Sequence, residues 1–166
     1  MSLQNQPEPS RKLPNRNAGR YLRTILGAVD GPKDEVRPSR VADRLDVSPA
    51  SVTEMTNHLE EAGYVDHEPY GGISLTPEGA EMARHLQWRQ CVFATFFEDV
   101  LDVSVPSTAS YEASFALPAD VLDEARAYVG LDCIGRCDER VWECRCWETA
   151  DQPLAGPSIE ESKRET

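Results

Sequence analysis

The chain has 166 residues and 40% apolar side chains, enough for one compact domain or a small domain with a dimerisation segment. No apolar run is long enough to span a bilayer, and the N-terminus lacks a signal-peptide core, so a cytoplasmic protein with no membrane attachment is expected. The net charge of −12 is uneven: residues 1–44 carry nine basic and five acidic side chains, net +4, and residues 45–166 carry eight and 24, net −16.

Only Lys12, Lys33 and Lys163 are lysines; the other basic residues are arginine. Hydrated carboxylates keep a surface soluble in concentrated salt, so this composition reads as halophilic and haloarchaeal. An ordinary acidic bacterial protein is the plainer alternative.

Residues 1–16 hold three prolines and polar filler and read as a flexible arm. Tyr21, Leu22, Ile25, Leu26 and Val29 recur at helical spacing, which predicts a helix over residues 18–29. "DGPKDE" breaks it. A short helix is expected near residues 39–45, with Val41, Ala42 and Leu45 inward, followed by a tight turn at Asp46-Val47. Ser48 is a good N-cap and Pro49 suits the first helical position, so a third helix runs to about Ala62, with Gly63 as a left-handed stop. Tyr64-Val65 and Ile73 to Leu75 read as two short strands around a Gly71-Gly72 tip. Thr76, Pro77 and Glu78 open a long helix whose buried face is Met82, Leu86, Phe93, Phe97 and Val100. "DVSVPSTAS" reads as a loop, and a last helix runs from near Pro118 to Gly130. Residues 150–166 read as a disordered tail.

This order of elements is that of a winged helix-turn-helix. The expected fold is mainly α with a small β-hairpin. It divides into a DNA-binding unit over 17–76, a helical dimerisation unit over 77–130 and a cysteine-rich segment over 131–149. On the third helix Val52, Met55, Leu59 and Ala62 share the core face. Ala50, Thr53, Glu54, Asn57 and Glu61 therefore point outward, the face that enters a major groove in such folds.

The stretches "RYLRTI", "VADRLDVSPASVTEM", "LEEAGYV" and "HEPYGGISLTPEG" resemble the metal-dependent repressors of the diphtheria toxin repressor and manganese transport regulator type. The resemblance covers residues 18–130 and is dense over 18–101. It implies a homodimer bound to an operator in double-stranded DNA. The longer members add an SH3-like domain for which this chain is too short, so it resembles the shorter, manganese-regulator architecture. By this resemblance Ser48, Ala50, Ser51 and Thr53 match positions that touch DNA. Glu54 stands where the family commonly has Gln or Lys, and His58 and Glu61 where some members have Arg. Arg37, Arg40 and Arg44 remain to grip the DNA backbone, with Arg11, Lys12 and Arg16 in the arm.

The resemblance also implies a divalent metal between the first helix and the dimerisation helices. Its ligand positions fall on Arg20, Arg23, Gln90 and Ala94, and a further Glu-His pair should lie near Tyr111 to Pro118. No histidine follows His85, so that pair is missing. Arginine cannot ligate a cation, so the family's manganese or iron site is expected to be absent. One consequence is that a guanidinium replaces the metal charge and bridges to Glu112 or another carboxylate across the dimer seam. The plainer alternative leaves Arg20 and Arg23 solvated.

Control can instead lie in "CIGRCDERVWECRC", where Cys133, Cys137, Cys144 and Cys146 are spaced C-x3-C-x6-C-x-C. Three readings stand: a structural zinc site, an iron–sulfur or thiol switch, and cysteines that pack beside Trp142 and Trp147. Cys91 reads as core, and His67 and His85 as surface or packing residues. There is no Ser-His-Asp order, phosphate-binding glycine loop or HExxH, so neither an enzyme nor a small-molecule substrate is expected. Glu60-Glu61 reads as a solvated helix face. The expected function is a sequence-specific transcription regulator under metal or redox control, or independent of metal. The alternative is a cysteine-ligated metal or redox protein that keeps the winged fold as an interaction module and no longer reads DNA.

Overall fold

The computed structural model describes residues 12–29 and 34–131. The arm up to residue 11, the four clustered cysteines and the tail lie outside the described residues. Within them the order is α1 (Arg16–Leu26), α2 (Pro38–Leu45), α3 (Pro49–Glu61), β1 (Val65–His67), β2 (Ile73–Leu75), α4 (Pro77–Leu101), α5 (Ser107–Ala116) and α6 (Ala119–Val129).

Helix α1 starts two residues earlier than its apolar spacing predicts. The Asn15 side chain accepts from the Ala18 N–H at 2.8 Å and nucleates the first turn. Tyr21, Leu22, Ile25 and Leu26 are buried as expected, at roughly 2 kcal/mol each of burial free energy. Helix α2 ends at Asp46, whose φ of 54° is left-handed, and the Val47 N–H closes the turn on Ala42 O at 3.1 Å. Ser48 caps α3 through a 3.1 Å bond from the Ser51 N–H, and Gly63 follows the helix at φ 79°.

Strands β1 and β2 pair antiparallel, Val65 opposite Leu75 and His67 opposite Ile73. Val36 adds a third, single-residue edge, exchanging two 2.8 Å bonds with Ile73. Gly71-Gly72 lie in the connection between the strands, after Tyr70, which is left-handed at φ 66°.

Thr76 joins hairpin to helix. Its Oγ1 donates to Gly63 O at 2.7 Å and accepts from the Gly79 N–H at 3.0 Å. A Cβ on Gly79 would collide with the Tyr64 carbonyl, so a side chain there would push α4 off the hairpin. Every residue of α4 from Leu86 to Val92 is buried, because α1, α5 and α6 all pack on this helix. Cys91 belongs to that buried run, as expected.

Four expectations need correction. Val100 is exposed, because the last turn of α4 runs beyond the helices that cover its middle. Ala62 is exposed as the cap after α3, and Thr56 takes an inward place beside Val52 and Leu59. Residues 107–110 of the expected loop are helical and open α5. That helix has no continuous apolar stripe to reveal it. Its buried serines bond backward instead, Ser110 Oγ to Val105 O at 3.2 Å and Ser114 Oγ to Tyr111 O at 3.0 Å. Small side chains satisfied in this way let α5 lie close against α4. Finally, Glu60 is not merely solvated: its Oε1 accepts from the His67 N–H at 3.2 Å and ties α3 to the hairpin.

Candidate nucleic-acid interface

Helix α3 presents one continuous exposed face. Ser48, Ala50, Thr53, Glu54 and Asn57 are exposed and Ser51 is half-buried, with Val52, Thr56 and Leu59 holding the opposite face in the core. The expected outward residues are thus brought together on one surface. No acidic residue occupies the first turn of α3, so the positive end of its macrodipole is unopposed by its own side chains. Glu54 enters only in the second turn.

The hydroxyls of this face are already oriented. Ser48 Oγ lies 2.9 Å from Ser51 Oγ, and Thr53 Oγ1 donates to Pro49 O at 3.1 Å. Thr53 therefore offers lone pairs to an incoming donor unless its own bond breaks. Arg37 and Arg40 are exposed at the start of α2. Arg44 is exposed too, but one end of its guanidinium is turned inward, Nη1 donating to Gly27 O at 2.7 Å.

Behind this surface, at the junction of α1, α4 and α5, the residues that align with the family's metal ligands make other bonds. Arg23 Nε and Nη2 both donate to Gln87 Oε1, at 3.0 and 2.8 Å. Its guanidinium also lies over the Tyr111 ring, 4.9 Å from the centroid. Gln90 Nε2 donates to Ser107 O and Oγ at 3.0 and 2.8 Å, linking α4 to the start of α5. Ala94 is half-buried and offers no donor atom, and Arg20 is exposed. Among the described residues no three of His, Cys, Asp and Glu are grouped so as to hold a metal. The donor chemistry at this junction is that of guanidinium and amide groups and does not fit a divalent cation.

Among the described residues of the single chain, neither Arg20 nor Arg23 pairs with Glu112; the expected bridge across the dimer seam involves a second chain. Arg16 takes that partner, its Nη1 lying 3.0 Å from Glu112 Oε2, because it faces α5 one turn earlier on α1. The Tyr111 hydroxyl donates to Arg16 O at 2.9 Å, which fixes the same contact. Burial pushes the Tyr111 phenol up to about 12, only partly offset by the positive charge of Arg23. Buried Arg89 sits at the negative end of α5, donating to Ser114 O at 2.9 Å and to Leu117 O, and burial lowers its pKa. His85 stacks on Trp88 with ring centroids 5.6 Å apart, in line with the packing reading.

Sequence reasoning misses Gln87 as a junction residue. A signal for it exists: it stands three residues before Gln90 on α4, one helical turn nearer α1. The sequence marks Arg44 only as a DNA-backbone contact, and nothing local shows that it reaches back to α1.

Residues 15–73 match the family model described as the iron dependent repressor, N-terminal DNA binding domain. An HTH-type transcriptional regulator of Methanocaldococcus jannaschii is 30% identical over 112 residues, 66% of this chain and 89% of its own. The HTH-type transcriptional regulator MntR of Oceanobacillus iheyensis is 33% identical over 86 residues, 52% of this chain and 58% of that protein. A manganese-dependent transcriptional repressor solved in complex with manganese superposes with a TM-score of 0.60 at 25% identity, over 68% of this chain and 52% of that one. The chain thus spans little more than half the length of the manganese regulators it matches. No helix among the described residues is long and apolar enough to cross a membrane. By these matches the chain belongs to the iron-dependent repressor family of DNA-binding transcription regulators, the diphtheria toxin repressor type.

Proposed function

We propose that this protein is a dimeric, sequence-specific regulator in which guanidinium contacts take the structural place of the family's metal. The observation that carries the reading is the exposed face of α3 with a junction behind it built from arginine and amide groups. Ala50 meets a thymine methyl, Ser48, Ser51 and Thr53 contact phosphate or base edges, and Asn57 and Glu54 reach bases further along the groove. Arg37 and Arg40, with Arg44 at the edge, supply the phosphate grip. Arg23 holds α1 to α4 and α5 without an ion.

The apolar residues left exposed at the end of α4 and on α6 support dimerisation through these helices. Val100, Leu101, Val103, Val121 and Tyr128 lie outside the core of the single chain. Cys133, Cys137, Cys144 and Cys146 remain a candidate zinc or iron site.

An operator selected from random duplexes tests the reading, with affinity then measured with and without chelator. Chelation is expected to leave affinity unchanged, while Arg23→Met lowers it about tenfold as α1 loosens from α4. Failure to select any preferred sequence, in low or molar salt, overturns the regulator reading. Loss of binding on chelation in a chain whose Cys133, Cys137, Cys144 and Cys146 are replaced by serine overturns the metal-free junction.

A further inference from the structure

Among the described residues the backbone turns left-handed at Gly63 and Gly130, at Asp46 and Asp102, and at Tyr70. Glycine takes this conformation freely, and aspartate tolerates it because its short side chain can bond locally. Tyr70, at φ 66°, is the exception, since a bulky side chain is strained there. The Gly71 N–H donates to Glu68 O at 2.8 Å and closes a turn over Glu68, Pro69, Tyr70 and Gly71. Proline second and a left-handed residue third match a type II turn, whose third position suits glycine. Glycines stand directly after that position, at 71 and 72, where φ is not positive. Gly72 has a separate use. A Cβ there would collide with the Glu35 side chain, which accepts from the Gly72 N–H at 3.1 Å.

The turn thus holds a tyrosine where glycine would be relaxed, and nothing in the fold compensates. Tyr70 is 109% exposed, as open as in an isolated peptide, so its ring packs on no other described residue. Backbone strain of this kind gathers where a side chain meets a ligand. The hairpin fixes the ring relative to α3. The Tyr64 N–H donates to Leu59 O at 2.9 Å, and Glu60 Oε1 accepts from the His67 N–H at 3.2 Å. Tyr70 follows His67 by a reach of at most about 10 Å, so it stays close to the last turns of α3. A helix seated in the major groove has a sugar–phosphate strand on each side and a minor groove beyond it. An arm of this length from α3 meets that strand.

We propose that Tyr70 contacts DNA, its ring packing on the deoxyribose wall of the minor groove beside the major groove that α3 reads. The proposal rests on the regulator reading above. Tyrosine suits the place, with an apolar body for the sugar C–H groups and a polar tip left in water at the groove rim. The hairpin carries Asp66 and Glu68 and no lysine or arginine, so its contact does not come from counterion release. A duplex is favoured over a second copy of the chain as the occupant. Tyr70 is tied to α3, whereas the apolar surface open to a second chain lies on α4 and α6.

Tyr70→Gly and Tyr70→Phe are tested in the full chain on the selected operator. Tyr70→Gly removes the ring and relaxes the turn, so the urea midpoint should hold or rise. Operator affinity should fall about fivefold all the same. A tyrosine with a purely structural role would lower the midpoint instead. Tyr70→Phe keeps the ring and should bind within about twofold of wild type. The slope of log affinity against log salt should be unchanged in both variants. Hydroxyl-radical footprinting, which cuts at deoxyribose, should show protected sugars flanking the bases that α3 covers. That flanking protection should vanish in Tyr70→Gly while the rest of the footprint stays. Affinity and footprint unchanged in Tyr70→Gly overturn the contact and leave the regulator reading standing. A wild type that selects no operator overturns both. An equal loss in Tyr70→Phe and Tyr70→Gly overturns the ring contact. A DNA-free dimer that sediments as monomer in Tyr70→Gly assigns the tip to a second copy and overturns the proposal.

Discussion

The outward face of α3 and the junction of α1, α4 and α5 are both polar, but they hold their polar groups differently. On α3 the hydroxyls bond within their own helix, Ser48 with Ser51 and Thr53 with Pro49, and nothing from another element fixes them. At the junction nearly every polar group bonds to a residue far away in sequence: Arg23 to Gln87, Gln90 to Ser107, Arg16 to Glu112. The first surface is built to exchange its partners for others. The second is built to keep them. Substitutions should therefore separate: those at the junction should move stability, and DNA affinity only by way of it, while those on α3 should move DNA affinity alone.

The largest effect is expected from Gly19→Val. A Cβ on Gly19 would meet Leu86 Cδ1 at 2.9 Å and collide with the Tyr111 hydroxyl. Neither neighbour can retreat easily, since Leu86 and Tyr111 are both buried. Overpacking of this kind costs about 3 kcal/mol, read as a lower urea midpoint. A midpoint that does not move would break the comparison, because it would mean that α1 and α5 are not held together at this point.

Tyr111→Phe should have a smaller effect with a distinctive pH signature. At neutral pH it removes the bond to Arg16 O and costs about 1 kcal/mol. The phenol's folded pKa is raised, chiefly by burial, from its ordinary value near 10 to about 12. The unfolded chain therefore loses this proton first as pH rises. The stability it contributes is fully present below about pH 10 and is lost as pH climbs toward 12. Wild type should lose stability over that window faster than Tyr111→Phe. The variant should retain some slope, because burial also raises the pKa of Tyr21.

The contrast between these regions also explains what the sequence disclosed. Helix caps, turns and apolar spacing are local, so α2, α3, the hairpin and the start of α4 were legible from Ser48, Pro49, Thr76 and the spacing around them. The outward face of α3 followed from the same periodicity. The junction was legible only as a set of missing ligands. Nothing near Arg16 names Glu112, 96 residues away, as its partner. Nothing near Arg44 points to the Gly27 carbonyl. Helix α5 escaped because its buried residues include serines that bond back to the preceding backbone, so it shows no apolar stripe and its first residues read as the continuation of a polar loop. Val100 escaped for the opposite reason. An apolar residue at helical spacing reads as core, although such a residue at the end of α4 can equally serve a surface that meets a second chain.

The smallest change in stability, and the sharpest test of the α3 face, should come from Thr53→Val. Valine keeps the shape of threonine and has similar helix propensity. The bond from Thr53 Oγ1 to Pro49 O that it removes is exposed and bends back on its own helix, so stability should shift by no more than about 0.5 kcal/mol. A thymine methyl would still find an apolar partner in valine, so any loss of affinity isolates the hydroxyl. That loss should be about 1 kcal/mol, or roughly fivefold, and confined to the base pair that Thr53 meets. Salt provides the cross-check. Removing one phosphate-gripping side chain reduces the slope of log affinity against log salt by about 0.9. Arg40→Gln should therefore flatten the slope by about that amount and weaken all sequences alike. Thr53→Val should leave the slope where it was if it reads a base edge, and flatten it as Arg40→Gln does if its hydroxyl grips phosphate. For a helix face that carries Glu54 and no arginine, the first outcome is expected. Such a face gains little from counterion release and must discriminate by fit.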